Sequence, residues 1–207
     1  MMKYFIPLLL SICVFACEKD KPQNNTVNDP PSPNLDLTCH FSGVIDGAQI
    51  ELAQNVSGYT GEAHSSTFIF SSPDFSHVIY RFKLISDQSP LKLEIYHGSV
   101  YWDYGVVSSP TLNQFISFHL TNTTPEYKDN GADGFQFTFM DQDGNTWASN
   151  PLSFNSQNVL FSDLIAFSNT SGDYVKFKCQ FNCYVYNPTL SDSLHVQNAE
   201  LTGWFMR

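Results

Sequence analysis

The segment Tyr96-His97-Gly98-Ser99-Val100-Tyr101-Trp102-Asp103-Tyr104 crowds aromatic rings and polar groups around a glycine. Flat rings flanked by hydrogen-bonding groups hold sugar rings by stacking plus hydrogen bonds. Tyr96, Tyr101, Trp102 and Tyr104 are therefore candidate glycan-binding residues; the alternative is that they cap the core beside a Gly98 turn. A second cluster, Asp141, Asp143 and Asn145, sets hard oxygen ligands at alternate positions, as in the first half of a calcium loop. Gly144 falls at the fourth position of that pattern and no bidentate glutamate closes it, so ordinary turn residues are the competing reading. Calcium is the one candidate cofactor.

Thiol chemistry is the next option. Cys179 and Cys183 are four apart on one predicted strand, about 13 Å between Cα atoms, too far for a disulfide. Cys39 could bridge either Cys179 or Cys183, and an oxidising compartment would permit it; equally, all three are small buried hydrophobes. The histidines (His40, His64, His77, His97, His119, His195) are spaced singly. No nucleophile elbow, zinc-protease motif or phosphate loop is present. Glu51, Glu62, Glu94, Glu126 and Glu200 could form an acid–base pair only if the fold brought two of them together. A non-catalytic protein is the expectation, with a hydrolase of dispersed carboxylates as the remote alternative.

These residues lie in a chain of 207, of which 42% are apolar and 15% aromatic. Lys and Arg number 10 against 20 Asp and Glu, a formal charge of −10 that argues against nucleic acid as a partner. The 18 Phe and 10 Tyr exclude a disordered chain. From residue 35 onward the hydrophobic pattern has period two. Val175, Phe177, Cys179, Phe181, Cys183 and Val185 alternate with Lys176, Lys178, Gln180, Asn182 and Tyr184, which predicts a long half-buried strand. Further strands are read at Leu37–Phe41, Phe68–Phe70, Val78–Leu84, Leu91–Tyr96, Phe135–Met140 and, from Phe115 to Leu120, where Ile116, Phe118 and Leu120 alternate with their neighbours. Val159–Phe167 is read as strand, although its spacing also allows a helical turn. Asp46-Gly47 and Asp143-Gly144-Asn145 are hairpin turns, because glycine accepts the positive φ that such turns demand. Turns recur about every ten residues, which predicts an all-β domain over 35–207: a single antiparallel β-sandwich of about ten strands, Ig-like or jelly-roll-like.

The N-terminus has a different character. Met1-Met2-Lys3 precedes an apolar run, Tyr4–Ala16, well short of the about 20 residues a bilayer-spanning helix needs. A positive start, a short apolar stretch and a small residue before a boundary describe a secretory signal peptide over 1–16. Val14-Phe15-Ala16-Cys17 resembles the lipobox of bacterial lipoproteins, and that resemblance implies diacylglyceryl attachment at Cys17. Residues 17–34 then read as a flexible tether, with Pro22, Pro30, Pro31 and Pro33 among asparagines and only Val27 as a large aliphatic.

The late Asp141-Gln-Asp-Gly-Asn-Thr-Trp147 hairpin, the Phe181-Asn-Cys-Tyr-Val-Tyr186 strand, the closing Gly203-Trp204-Phe205 and the opening Phe41–Gly47 hairpin resemble small Bacteroidota outer-membrane lipoproteins. The resemblance implies a β-sandwich of uncharacterised function, anchored by lipid to the outer membrane on its periplasmic or cell-surface face. The expected partners are the membrane through the N-terminal lipid, and a glycan or an envelope protein. The expected role is a binding or adhesion module, with a structural accessory subunit of an envelope complex as the alternative.

Overall fold

The computed structural model describes residues 36–71, 76–149 and 157–207. The expected signal peptide, Cys17 and tether lie outside the described residues. Among those described, ten strands follow one another: β1 His40–Ile45, β2 Ala48–Ala53, β3 Tyr59–Phe68, β4 Ser76–Ser86, β5 Lys92–Trp102, β6 Phe135–Met140, β7 Thr146–Ser149, β8 Asn158–Asn169, β9 Gly172–Asn187 and β10 Asp192–Met206. A helix, α1 Leu112–Thr121, separates β5 from β6. The architecture is all-β, and every strand pairing is antiparallel.

The strands form one sheet in the order β2-β1-β10-β9-β7-β6-β5-β4-β3, with β8 pairing beside β7 along the other part of β9. Its two halves face each other across the core. Phe82 of β4 meets Phe177 of β9 edge-on at 5.8 Å, and Phe137 of β6 lies 4.8 Å from Phe181 of β9. Phe41 of β1 stacks on Phe137 at 6.4 Å. The inner residues of β9, Val175 to Val185, are all buried, as their alternation predicts. Each such phenylalanine contributes roughly 1.5–3 kcal/mol by leaving water. At one end the halves touch backbone to ring: a Cβ on Gly203 of β10 would come within 2.7 Å of the Phe82 ring, so the position admits no side chain.

Turn chemistry follows the sequence. Asp46 and Gly47 both take positive φ, 49° and 79°, the twist that a two-residue hairpin needs between β1 and β2. Asp143-Gly144-Asn145 joins β6 to β7, and Val159–Phe167 is strand, inside β8. Three strand readings are corrected: Leu37–Cys39 precede β1 outside any strand, Ile69 and Phe70 follow the end of β3, and Phe115–Leu120 is helix, not strand. Thr111 accepts a bond from the Gln114 backbone N–H at 3.2 Å, while the Gln114 side chain reaches back to the Thr111 N–H at 2.8 Å. This reciprocal cap starts a helix whose buried residues, Phe115 and His119, are one turn apart. The local alternation was real, but the cap and the i, i+4 pair decided the period. No helix among the described residues is long and apolar enough to cross a membrane.

Candidate functional site

The predicted aromatic platform is not assembled. Gly98 lies inside β5 rather than at a turn, and the strand sends the four rings to different surroundings. Trp102 is 3% exposed and its indole N–H donates to the Val107 carbonyl at 3.1 Å, so it belongs to the core. Tyr96 faces outward, paired with Arg81 across the strands, and the guanidinium carbon sits 5.7 Å from its ring centre. Tyr101 is exposed; its hydroxyl donates to Asp133 at 3.0 Å, and its ring lies 5.2 Å from that of His77, which stacks on Phe68. Tyr104 is exposed beyond the end of β5.

The expected calcium ligands are built into a turn. Among the described residues no group of three or more acidic, histidine or cysteine side chains could hold a metal. The Asp141 carboxylate is already committed to the β6–β7 turn: it accepts from the Asp143 and Asn145 backbone N–H groups at 2.9 and 2.8 Å, and from the Asn145 amide and Trp147 indole at 3.0 Å each. Desolvation pushes this carboxyl up, but the bonds from Trp147, Asn145 and Asp143 outweigh it and hold it below its ordinary value. Asp143 and Asn145 complete the turn.

The three cysteines are free and buried. β10 stands between β1 and β9, so Cys39, just before β1, is at least two strand spacings, about 9.6 Å, from the β9 cysteines, beyond disulfide reach. Burial pushes the Cys39 thiol up to about 11 and Cys183 up to about 12, and raises Cys179 as well. All three behave as small hydrophobes.

The glutamates do not converge on a dyad. Glu51, Glu126 and Glu200 pair with His40, Lys128 and Lys178 respectively. Glu62 and Glu94 line one groove of about 350 Å³ on the outer face of β3–β7, but Lys83 stands between them in the cross-strand row. Its ammonium lies 3.4 Å from Glu94 and pairs with that carboxylate.

The structure builds a different site, on the outer face of β8, β9 and β10. Asn158 of β8 is opposite Asn182 of β9. In β10 two residues, Gln197 and Asn198, face the single Asn182, because Val196 pairs with Cys183 and Ala199 with Phe181. This bulge puts Asn198 at a φ of 50° and opens the sheet surface. One row further along, Leu160, Gln180 and Glu200 lie side by side. Together they line a groove of about 310 Å³, continuous through Asn158, Asn182 and Asn198 with a second of about 470 Å³ reaching Gln197 and His195.

The amides are linked. Asn158 Oδ1 accepts from the backbone N–H and the Nδ2 of Asn182 at 3.1 and 2.8 Å, while Asn182 Oδ1 accepts from the Asn198 backbone N–H at 2.7 Å. Glu200 accepts from Gln180 at 3.1 Å and pairs with Lys178 at 2.8 Å. The Lys178 bond holds the Glu200 carboxyl below its ordinary value and its own ammonium above. Beside the groove the rings of Tyr184 and His195 stack in parallel, 4.3 Å apart and 6° from coplanar.

Sequence reading missed this groove because polar residues at alternate positions of a strand read only as a solvated face. Its one visible signal was the concentration of amides in strands, where Asn is disfavoured. No protein-family model, no curated protein and no solved structure matches this chain.

Proposed function

We propose that this chain is a lipid-anchored, non-catalytic binding module of the cell envelope, of the small Bacteroidota lipoprotein kind, held at the outer membrane through Cys17. The signal-like N-terminus and lipobox-like boundary support the anchor. The observation that carries the binding role is the bulge at Gln197-Asn198 with its linked amides, Asn158, Asn182 and Asn198. A bulge between two paired strands costs ladder bonds, and asparagine costs strand stability. Local rules broken together on one surface mark a functional site.

Two measurements test this. Labelled palmitate should enter the wild type and not Cys17→Ala, with the variant leaving the membrane fraction. The intact Cys17→Ala chain should be retained on envelope material, and Asn198→Gly should reduce that retention. Soluble wild type, or equal retention of both chains, would overturn the reading.

A specific feature favours a protein as the partner instead. Phe68, Ile69 and Phe70 are exposed at the end of β3, an edge strand. Exposed apolar side chains at a strand edge suit an envelope protein. Retention lost in Phe68→Ser, and kept in Asn198→Gly, would select that partner.

A further inference from the structure

We propose that the amide-lined groove across β8, β9 and β10 binds a neutral saccharide. This rests on the binding-module reading and names the site's ligand class.

The lining is charge-balanced. Its polar groups are the carboxamides of Asn158, Gln180, Asn182 and Asn198 plus one carboxylate, Glu200, whose charge Lys178 offsets at 2.8 Å. An anionic ligand would meet Glu200, and a cationic one would find that carboxylate already paired. A carboxamide offers two donors and an acceptor in one plane, which matches a row of sugar hydroxyls that each donate and accept.

The groups are held in advance. Asn182 is fixed through both ends of its amide, by Asn158 and by the Asn198 backbone. Asn158 spends its oxygen on Asn182, and among the described residues its NH₂ has no hydrogen-bond partner. Gln180 is fixed through Nε2 to Glu200, and among the described residues its side-chain oxygen has no hydrogen-bond partner. Side chains positioned on strands lose little freedom on binding, so their hydrogen bonds add to affinity with small entropic loss.

Sugars also present apolar C–H faces. Leu160, 45% exposed, supplies an aliphatic surface in the groove. The Tyr184–His195 stack lies beside its far end, with His195 in the lining. The volume of about 310 Å³, extending into about 470 Å³, suits a ligand of one to a few sugar rings.

The test uses the intact chain in a sugar-free detergent, titrated with neutral gluco-, manno- and galacto-trisaccharides and with trigalacturonate as the charged arm. Binding of at least one neutral trisaccharide is expected, with at least a tenfold affinity loss in Asn198→Gly and in Gln180→Thr. Asn198→Gly keeps the positive φ of the bulge, and threonine suits a strand, so both variants should unfold at the wild-type temperature. Tyr101→Ala should bind as wild type does. No neutral sugar bound, preference for trigalacturonate, or full affinity in both variants would each overturn the saccharide assignment. Envelope retention is measured on the same variants. If Asn198→Gly loses retention while no sugar binds, the ligand class fails and the binding module stands; if neither effect appears, both fail.

Discussion

The Nδ1 atoms of His97 and His119 face each other at 3.2 Å inside the core, one on β5 and one on α1. Both residues are 1% exposed, enclosed by Tyr80, Phe115, Phe118, Phe161 and Phe205. Only one proton fits between the two nitrogens, so at most one ring could carry charge, and burial disfavours even that. The Nε2 of His119 has no hydrogen-bond partner among the described residues. Burial lowers His97 to about 3, against a weak opposing effect of the Asn122 backbone, and burial plus the neighbouring His97 holds His119 well below its ordinary value. Among the described residues no carboxylate pairs with either imidazole.

That pair makes the fold acid-sensitive in a defined window. The unfolded chain takes up two protons near the ordinary histidine value of 6.5 that the native chain refuses. Stability is therefore complete above about pH 6.5 and falls below it, by up to about 3 kcal/mol per pH unit while both histidines titrate only when unfolded. The window closes toward about 3, where folded His97 accepts its proton. Denaturant unfolding at pH 7, 6 and 5 should show this slope, and His119→Phe should roughly halve it. A flat profile between pH 7 and 5 would contradict neutral burial of the pair.

The helix that carries His119 depends on its first turn. Thr111→Ala removes the bond to the Gln114 N–H and half of the reciprocal cap, and should cost about 1 kcal/mol. Thermal unfolding would read this as a shift of roughly 2–4 °C. Thr111→Ser should retain most of the stability.

At the β6–β7 turn, Asp141→Ala removes four hydrogen bonds, including the one from the Trp147 indole. A loss of about 1–3 kcal/mol is expected. Calcium or chelator should leave the wild-type unfolding temperature unchanged, because both carboxylate oxygens already serve the turn. A calcium-dependent rise would restore the metal reading.

Along β5, neighbouring rings should behave in opposite ways. Trp102→Ala empties core volume and should destabilise by about 3–5 kcal/mol. Tyr101→Ala changes an exposed ring and should cost under about 1 kcal/mol. Equal losses at the two positions would contradict their opposite orientation.

The thiols give a last check. Cys39, Cys179 and Cys183 should resist alkylation in the native protein and all react once it is unfolded, without reductant. A thiol missing from the unfolded count would reveal a disulfide that the strand order excludes.

Period-two alternation by itself determined the β architecture, the inward face of β9 and, with Asp46-Gly47 and Asp143-Gly144, two of the hairpins, because burial of alternate residues and positive φ at glycine are local constraints. The same local logic misread α1, where Thr111 and Gln114 close a cap that the alternation of Ile116, Phe118 and Leu120 hides. Tertiary structure alone decided which polar residues meet. His97 and His119 come together only because α1 folds over β5, and Asn158, Asn182 and Asn198 form one row only because β8 and β10 pair with β9 in that register. A shift of one residue in either pairing would move a strand's asparagine to the opposite face. The platform at residues 96–104 dissolved for the same reason. Strand pleating sends neighbouring rings to opposite sides of the sheet, and which side faces the core is fixed by the strands packed against it.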